Sequence, residues 1–449
     1  MKILLISANT LTAPYPVYPL GLDYVARAVE DKHQVKLADM NSLRDDDHLG
    51  EIIRGFSPDI LGISLRNIDN TDAVDPTGFI ETYRKLIQKI RGYSNALIVL
   101  GGSGFTIFPE EILDSLNADY GIIGEGERLA LLLDAIENNK DVATIPGVVT
   151  PHIRKPIPPP WNKKFSQQFH INHSHFGFYL KKGGMLNLQT KRGCKYNCIY
   201  CIYPYIEGHR QRFIDPTDVA NTALRLQSAG AKYFFITDSV FNSNYSHNIA
   251  IAQAFKKAGV SIPWGAFFAP IESPTDYFQI MCDAGLTHVE LGTESLSNRV
   301  LSSYCKPFQV QHIFDTHQHA IDAGLNVAHY FLIGGPGENS ETLNETLSNV
   351  DKLKKSVLFF FCGMRIYPHT KLYEMSVKEG QILKTQSVLE PVFYHTPSID
   401  TDEIIRRVKN EAKNRPNWVI GSGGTETTNI TAKLYRRGHI GPLWEYLIR

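Results

Sequence analysis

The chain has no surplus of charge of either sign: 46 Lys and Arg residues balance 46 Asp and Glu over 449 residues. No Lys/Arg run is long enough to make a nucleic-acid footprint, which argues against DNA or RNA as a partner. There is also no apolar stretch long enough to span a bilayer. The opening Met-Lys-Ile-Leu-Leu-Ile-Ser has an apolar run of only Ile3–Ile6, with Asn9, Pro14 and Pro16 close behind. That pattern predicts a first β-strand, not a signal peptide. Cysteine is scarce, with six residues in the whole chain, too few for a disulfide framework. A reducing, cytoplasmic setting is the expectation.

Three of those six cysteines nevertheless crowd together, in Thr190-Lys-Arg-Gly-Cys-Lys-Tyr-Asn-Cys-Ile-Tyr-Cys201. Cys194, Cys198 and Cys201 have C-x3-C-x2-C spacing. Thiolates this close can hold three irons of a cubic cluster and leave the fourth without a protein ligand. The rival is structural zinc, which normally takes four ligands, usually as two short Cys/His pairs. Cys282, Cys305 and Cys362 are isolated from one another, and His209 sits in a Gly-His-Arg turn without a partner at ligand spacing. The spacing therefore predicts a 4Fe-4S cluster with an open iron, suited to binding and reducing a substrate.

Strand and helix patterns alternate along the chain, which predicts an α/β protein with parallel sheets. Residues 1–150 read as five strands in a flavodoxin- or Rossmann-like doubly wound domain, whose ligand sits at the carboxyl ends of the strands. The loops there are Pro14–Gly21, Arg66–Asn70, Gly101–Phe105 and Gly124–Glu127. Their glycines suit either close backbone approach to a ligand or tight turns. A dinucleotide site is disfavoured, because Gly101-Gly-Ser-Gly104 follows the fourth strand and lacks the G-x-G-x-x-G pattern. Residues 151–180 read as a linker, stiffened by Lys155-Pro-Ile-Pro-Pro-Pro-Trp161 and followed by an aromatic-rich piece from Phe169. Residues 181–384 carry six βα units, a partial (β/α)6 barrel of TIM type. The cysteine loop leaves its first strand at the end where such barrels put their chemistry. Residues 385–449 read as a small C-terminal cap, with a turn at Gly421–Gly424.

These motifs together resemble the cobalamin-binding branch of the radical S-adenosylmethionine (SAM) superfamily, over nearly the whole chain. The cysteine motif has that family's spacing, with Tyr200 as the aromatic before the last cysteine. Gly292-Thr-Glu-Ser295 resembles the fourth-strand segment whose acid, here Glu294, contacts SAM. Leu332-Ile-Gly-Gly-Pro-Gly-Glu338 is similar to the fifth-strand glycine motif, which points to Gly334 and Gly335, and Met364-Arg-Ile-Tyr-Pro368 is similar to the sixth. Pro19-Leu-Gly-Leu22, Gly101-Gly102 and Gly124-Glu-Gly-Glu127 look like cobalamin-contacting turns. The resemblance thus implies cobalamin contacts from Leu20, Gly21, Arg66, Asn67, Gly101, Gly102, Ser103, Gly124, Glu125, Gly126 and Glu127. Where many such domains carry D-x-H-x-x-G, with a histidine that ligates cobalt from below, this chain reads Ser7-Ala-Asn-Thr10. Cobalamin without a histidine ligand is expected, with Arg66 either beneath the cobalt or in a surface or ion-pair role.

The resemblance implies a methyl transfer from SAM, by way of methylcobalamin, to a carbon of an amino-acid, peptide or lipid substrate. It leaves open a radical or a polar route. It also implies an external one-electron reductant such as flavodoxin or ferredoxin. Ring formation or rearrangement without methyl transfer, and a non-catalytic cobalamin or redox sensor, are the alternatives. Glu294 is either a SAM contact or a plain barrel-mouth acid. Asp238 and Ser239 either line the SAM pocket or cap the next helix. Glu290, on the same strand face as Glu294, is expected to contact SAM or lie near the cluster or substrate. Arg365 either pairs with the SAM carboxylate or is structural. His317 and His319 read as helix-surface residues.

Overall fold

A computed structural model describes residues 1–12, 15–161, 165, 167, 175–421 and 424–448. Pro14, Phe169 and the Ser422-Gly423 of the expected turn lie outside the described residues. The first sheet contains β1 (Lys2–Ser7), β2 (Gln34–Asp39), β3 (Ile60–Ser64), β4 (Leu97–Gly101), β5 (Tyr120–Ile122) and β6 (Val148–Val149), in the order β2-β1-β3-β4-β5-β6. All neighbours are parallel except β6, which runs antiparallel to β5 and adds a sixth strand to the five expected. Successive side chains of a strand point to opposite faces. Accordingly Leu4 and Ile6 pack with the helices Asp46–Phe56 and Ile80–Tyr93, while Ile3 and Leu5 pack with Leu20–Val29 and Leu129–Glu137. Each such fully buried Leu or Ile contributes about 1.5–3 kcal/mol relative to exposure.

The second half begins with β7 (Met185–Leu188), followed by the antiparallel pair β8 (Lys191–Arg192) and β9 (Arg212–Phe213) that brackets the cysteine loop. Then come β10 (Tyr233–Ile236), β11 (Trp264–Phe268), β12 (Leu286–Glu294), β13 (Asn326–Ile333) and β14 (Ser356–Cys362). Gly363, at φ +99°, ends the expected long sixth strand, and the chain resumes as β15 (Met364–Arg365), paired antiparallel with β16 (Phe393–Tyr394). The C-terminal stretch departs from a mere cap: β17 (Trp418–Ile420) joins β14 in parallel, giving a seven-stranded sheet ordered β17-β14-β13-β12-β11-β10-β7. The last turn, Trp444–Leu447, drops Trp444 among Ala328, Val357 and Val419, so the chain end closes the floor of the open barrel.

His317, expected at the surface, is buried instead. One nitrogen donates to the Lys354 carbonyl, so its Nδ1 accepts from Nε2 of His329 at 3.0 Å. Nδ1 of His329 then accepts from the Thr293 hydroxyl at 2.7 Å. This relay works only with both rings neutral, and burial pushes His317 down to about 4 and His329 well below its usual range. The unfolded chain takes up these protons near pH 6.5, whereas the folded chain resists until about pH 4. The stability they lend is present above pH 6.5 and is expected to be lost as pH falls through that window. Denaturant melts across this range check it; a midpoint that does not move between pH 7 and pH 4.5 would refute it.

Candidate active site

Strand carboxyl ends from both sheets meet around a cavity of about 300 Å³. Leu20, Gly21, Arg66, Gly101, Gly102, Ser103, Gly124, Glu125, Gly126 and Glu127 all line it, joined from the barrel by Asn187, Gln189, Arg192 and Thr237. Asn67, expected among them, does not line it; its carbonyl accepts from the Tyr83 hydroxyl behind the loop. From the mouth an apolar slot runs inward past Leu5, Gly62, Val25, Val99 and Leu129. Glycine holds the slot open: a Cβ at Gly62 would press on Leu5, and one at Gly102 (φ +99°) on the Leu65 carbonyl. A wide polar mouth over a long apolar slot is the shape that a macrocycle with a flat nucleotide limb requires.

No histidine lines the cavity among the described residues, whereas Arg66 lines it, solvent-exposed and without an ion pair. Glu125 and Glu127 turn their carboxylates to arginines from the cysteine arm. Arg192 pairs with Glu127 at 2.8 Å and lies between the rings of Tyr24 and Phe165, while Arg212 pairs with Glu125. The loop after β5 and the cysteine arm are therefore joined by charge.

The cysteine loop is pinned at several points. Cys194 N–H donates to the Gly208 carbonyl (3.1 Å), Gly193 N–H to Glu207 (3.0 Å) and Ile199 N–H to the Tyr304 carbonyl (3.2 Å). Burial, with the neighbouring cysteine sulfurs adding to it, raises the Cys194 thiol and pushes Cys201 up to about 12. A cationic metal group among them would reverse that push, since a coordinating thiol is deprotonated outright. Among the described residues no three His, Cys, Asp or Glu side chains converge to hold a single metal ion. Sulfurs that each bind a different iron of a cluster need no such convergence, so the donor set fits a cluster better than zinc.

Beside the cysteines, Glu294 sits at a β-bulge in β12 with φ +63°. Its Oε1 accepts from the Tyr200 hydroxyl at 2.6 Å and from Lys306 Nζ at 2.9 Å, and Lys306 also reaches the Tyr200 hydroxyl at 3.2 Å. Burial alone would lower Lys306, but Glu294 and the Cys198 sulfur outweigh it and hold the ammonium charged. Tyr200 meets Tyr304 edge-on, and the Tyr304 hydroxyl accepts from Gly335 N–H at 3.0 Å. A Cβ at Gly335 would strike Tyr304 and Met364, so this turn must be glycine. Tyr200, Glu294, Gly334 and Gly335 are thus brought together, with Lys306 as the member that no motif signalled.

The remaining expected SAM contacts are each engaged by protein groups. Asp238 is sealed in a 3.0 Å ion pair with Lys191 and accepts from Thr190 N–H at 2.8 Å, so it ties β10 to the base of the cysteine arm. Ser239 reaches Glu207 at 3.5 Å. Arg365 is buried against Asp69 at 2.8 Å and donates to the carbonyls of Ile366 and Val388, leaving nothing for a SAM carboxylate. Glu290 is inaccessible, accepting from Trp444 Nε1 (3.0 Å) and the Tyr330 hydroxyl (2.9 Å); burial raises it to about 7 against those two bonds.

Comparison with known proteins agrees with this layout. Residues 6–133 match the B12 binding domain and residues 188–350 the radical SAM superfamily. The chain belongs to the radical SAM superfamily, in the branch that adds a B12-binding domain. It is 26% identical to an uncharacterized methyltransferase of Pyrococcus horikoshii, over 94% of both chains. It is 21% identical to the tryptophan 2-C-methyltransferase of Streptomyces laurentii, over 82% of this chain and 74% of the other. The fold matches that of the radical SAM methyltransferase TsrM from Kitasatospora setae, solved with tryptophan and a SAM analogue. That match has a TM-score of 0.87 at 20% identity, over 99% and 97% of the two chains. The Pyrococcus and Streptomyces relatives are both named methyltransferases, and the Kitasatospora setae TsrM has also been solved with cobalamin and a [4Fe-4S] cluster bound. No helix among the described residues is long and apolar enough to cross a membrane.

Proposed function

We propose that the chain moves a methyl group from SAM, by way of cobalamin, to a carbon of a small amino-acid, peptide or lipid substrate. The observation that carries this is the single cavity in which the B12-side loops and the barrel mouth at Asn187, Gln189 and Thr237 face one another. Bound there, cobalamin supplies a transferable methyl group, and the cluster supplies SAM with an electron. The protein's share is positioning and exclusion of water. Cys194, Cys198 and Cys201 hold the cluster, and Glu294 offers SAM its Oε2, which has no protein partner among the described residues. Tyr200 and Lys306 hold that carboxylate in place. Arg66 places a cation on the wall of a cavity that no histidine lines among the described residues. A one-electron carrier such as flavodoxin or ferredoxin is the proposed reductant, and a cytoplasmic setting protects an oxygen-sensitive cluster.

The test is anaerobic incubation of the reduced holoenzyme with SAM carrying a deuterated methyl group. Label is expected on the bound cobalamin; a cobalamin that stays unlabelled would sink the proposal and favour a sensor or a ring-forming enzyme. Lys306→Met is expected to weaken SAM binding about tenfold, roughly 1.4 kcal/mol, with Lys306→Arg recovering part of it. Equilibrium dialysis with labelled SAM checks this, and unchanged affinity in the methionine variant would remove Lys306 from the site.

A further inference from the structure

The barrel lumen has a chemistry of its own. Along β11, Ala266 and Phe268 are buried against the helices, so alternation turns Phe267 inward. Phe267 is nonetheless 37% exposed, an aromatic ring left open inside a concave surface. It meets Phe235 edge-on at 4.9 Å and Tyr330 at 6.5 Å. Tyr330 in turn stacks on Phe359 at 4.7 Å and on Phe361 at 6.4 Å, with interplanar angles of 9° and 15°. Five rings from four strands therefore wall the lumen, with Tyr15 of the N-terminal loop packed against Phe235, and the Phe267 ring keeps an exposed side.

Two further observations narrow what can enter. None of β7 and β10–β14 contains a lysine or an arginine to pair with a carboxylate or phosphate, and His288, on the strand face of Glu290, is turned to Glu445. The acid on the floor, Glu290, spends one oxygen on Trp444 and the other on the Tyr330 hydroxyl, which fixes the Tyr330 ring in its stack. The lumen also opens toward the cobalamin cavity: Thr237 lines that cavity one residue beyond the end of β10, on the same face as Phe235. A group resting on Phe267 thus lies on the barrel side of the corrin site.

We infer that the lumen binds the reacting end of the substrate as an uncharged planar aromatic ring, packed on Phe267 and Tyr330, with Glu290 as the residue that positions Tyr330. This deepens the methyl-transfer reading and rests on it. Aromatic rings prefer edge-to-face or offset contacts at 4.5–7 Å, worth about 0.5–1.5 kcal/mol beyond the area they bury. The open side of Phe267 offers such a contact, and the missing cation rejects a charged head, which stays at the mouth with Asn187 and Gln189.

The experiment uses the full chain loaded with cluster and cobalamin, and measures binding of indole and of 1-octanol by saturation-transfer NMR. Indole is expected to bind in preference to 1-octanol. Phe267→Leu, which keeps apolar volume but removes the ring, is expected to weaken indole about tenfold while leaving 1-octanol unchanged. Glu290→Gln is expected to weaken indole less. Octanol binding as well as indole, or full indole affinity in Phe267→Leu, would overturn the aromatic assignment; the wild-type comparison stands even if a variant folds poorly. The deuterated-methyl labelling of cobalamin needs no substrate probe. Its failure therefore strikes the methyl-transfer reading, whereas failure of indole binding strikes only the substrate class.

Discussion

Replacing Cys198 with alanine is expected to abolish turnover and to leave protein that no longer retains a full cluster after anaerobic reconstitution. Cys198 adds to the upward push on both Cys194 and Cys201, so it lies within electrostatic reach of each. Two thiolates hold only two of the irons, and an iron without a protein ligand in place of Cys198 is open to solvent and loss. Groups that act as a unit fail together, so the loss should reach roughly three orders of magnitude or more. Iron and sulfide analysis beside a turnover assay checks both halves. Cys282→Ala is the control: that thiol sits on the outer helix Tyr277–Cys282, donates weakly to the Ala323 carbonyl at 3.4 Å, and should leave iron content unchanged. Full turnover in Cys198→Ala would exclude a three-thiolate cluster.

Much of this was legible along the chain, because the features concerned are local. Strands such as β1 announce themselves by β-branched, buried runs, and the glycine turns that line the cavity sit where each strand ends. Spacing within eight residues named the three cysteines. What stayed hidden depends on partners far away in sequence. Lys306 carries no motif, yet it meets Tyr200 across 106 residues. Asp238, which the sequence offers as a SAM-pocket residue or a helix cap, is claimed by Lys191, 47 residues earlier. Glu290 shares a strand face with Glu294, but Trp444 from the far end of the chain draws it into the floor. A three-residue strand such as β17 has too short a pattern to stand out, and only the exposed edge of β14 gives it a place to pair. Period and turn chemistry reveal the frame, while burial decides which polar groups are spent holding it together.

Arg365 shows that division most sharply and sets the last prediction. Its Nε meets Asp69 at 2.8 Å across 296 residues, joining the strand-end loop after β3 to β15 of the barrel half. Both side chains are almost wholly inaccessible, and the guanidinium also caps the carbonyls of Ile366, Val388 and Leu389. Removing one member of such a pair leaves the other charge buried and uncompensated, which costs about 3–5 kcal/mol. Arg365→Ala is therefore expected to lower the urea midpoint strongly, and Arg365→Lys to recover little, since an ammonium cannot span Asp69 and several carbonyls in one plane. The double variant Arg365→Ala/Asp69→Ala should cost less than the two single changes combined, because it removes both charges at once. A SAM-binding arginine would behave in the opposite way, with a near-normal midpoint, weakened SAM binding and no coupling to Asp69. Measuring the midpoint and SAM affinity of the same variants separates the two roles, and a stable Arg365→Ala protein that cannot hold SAM would return this residue to the active site.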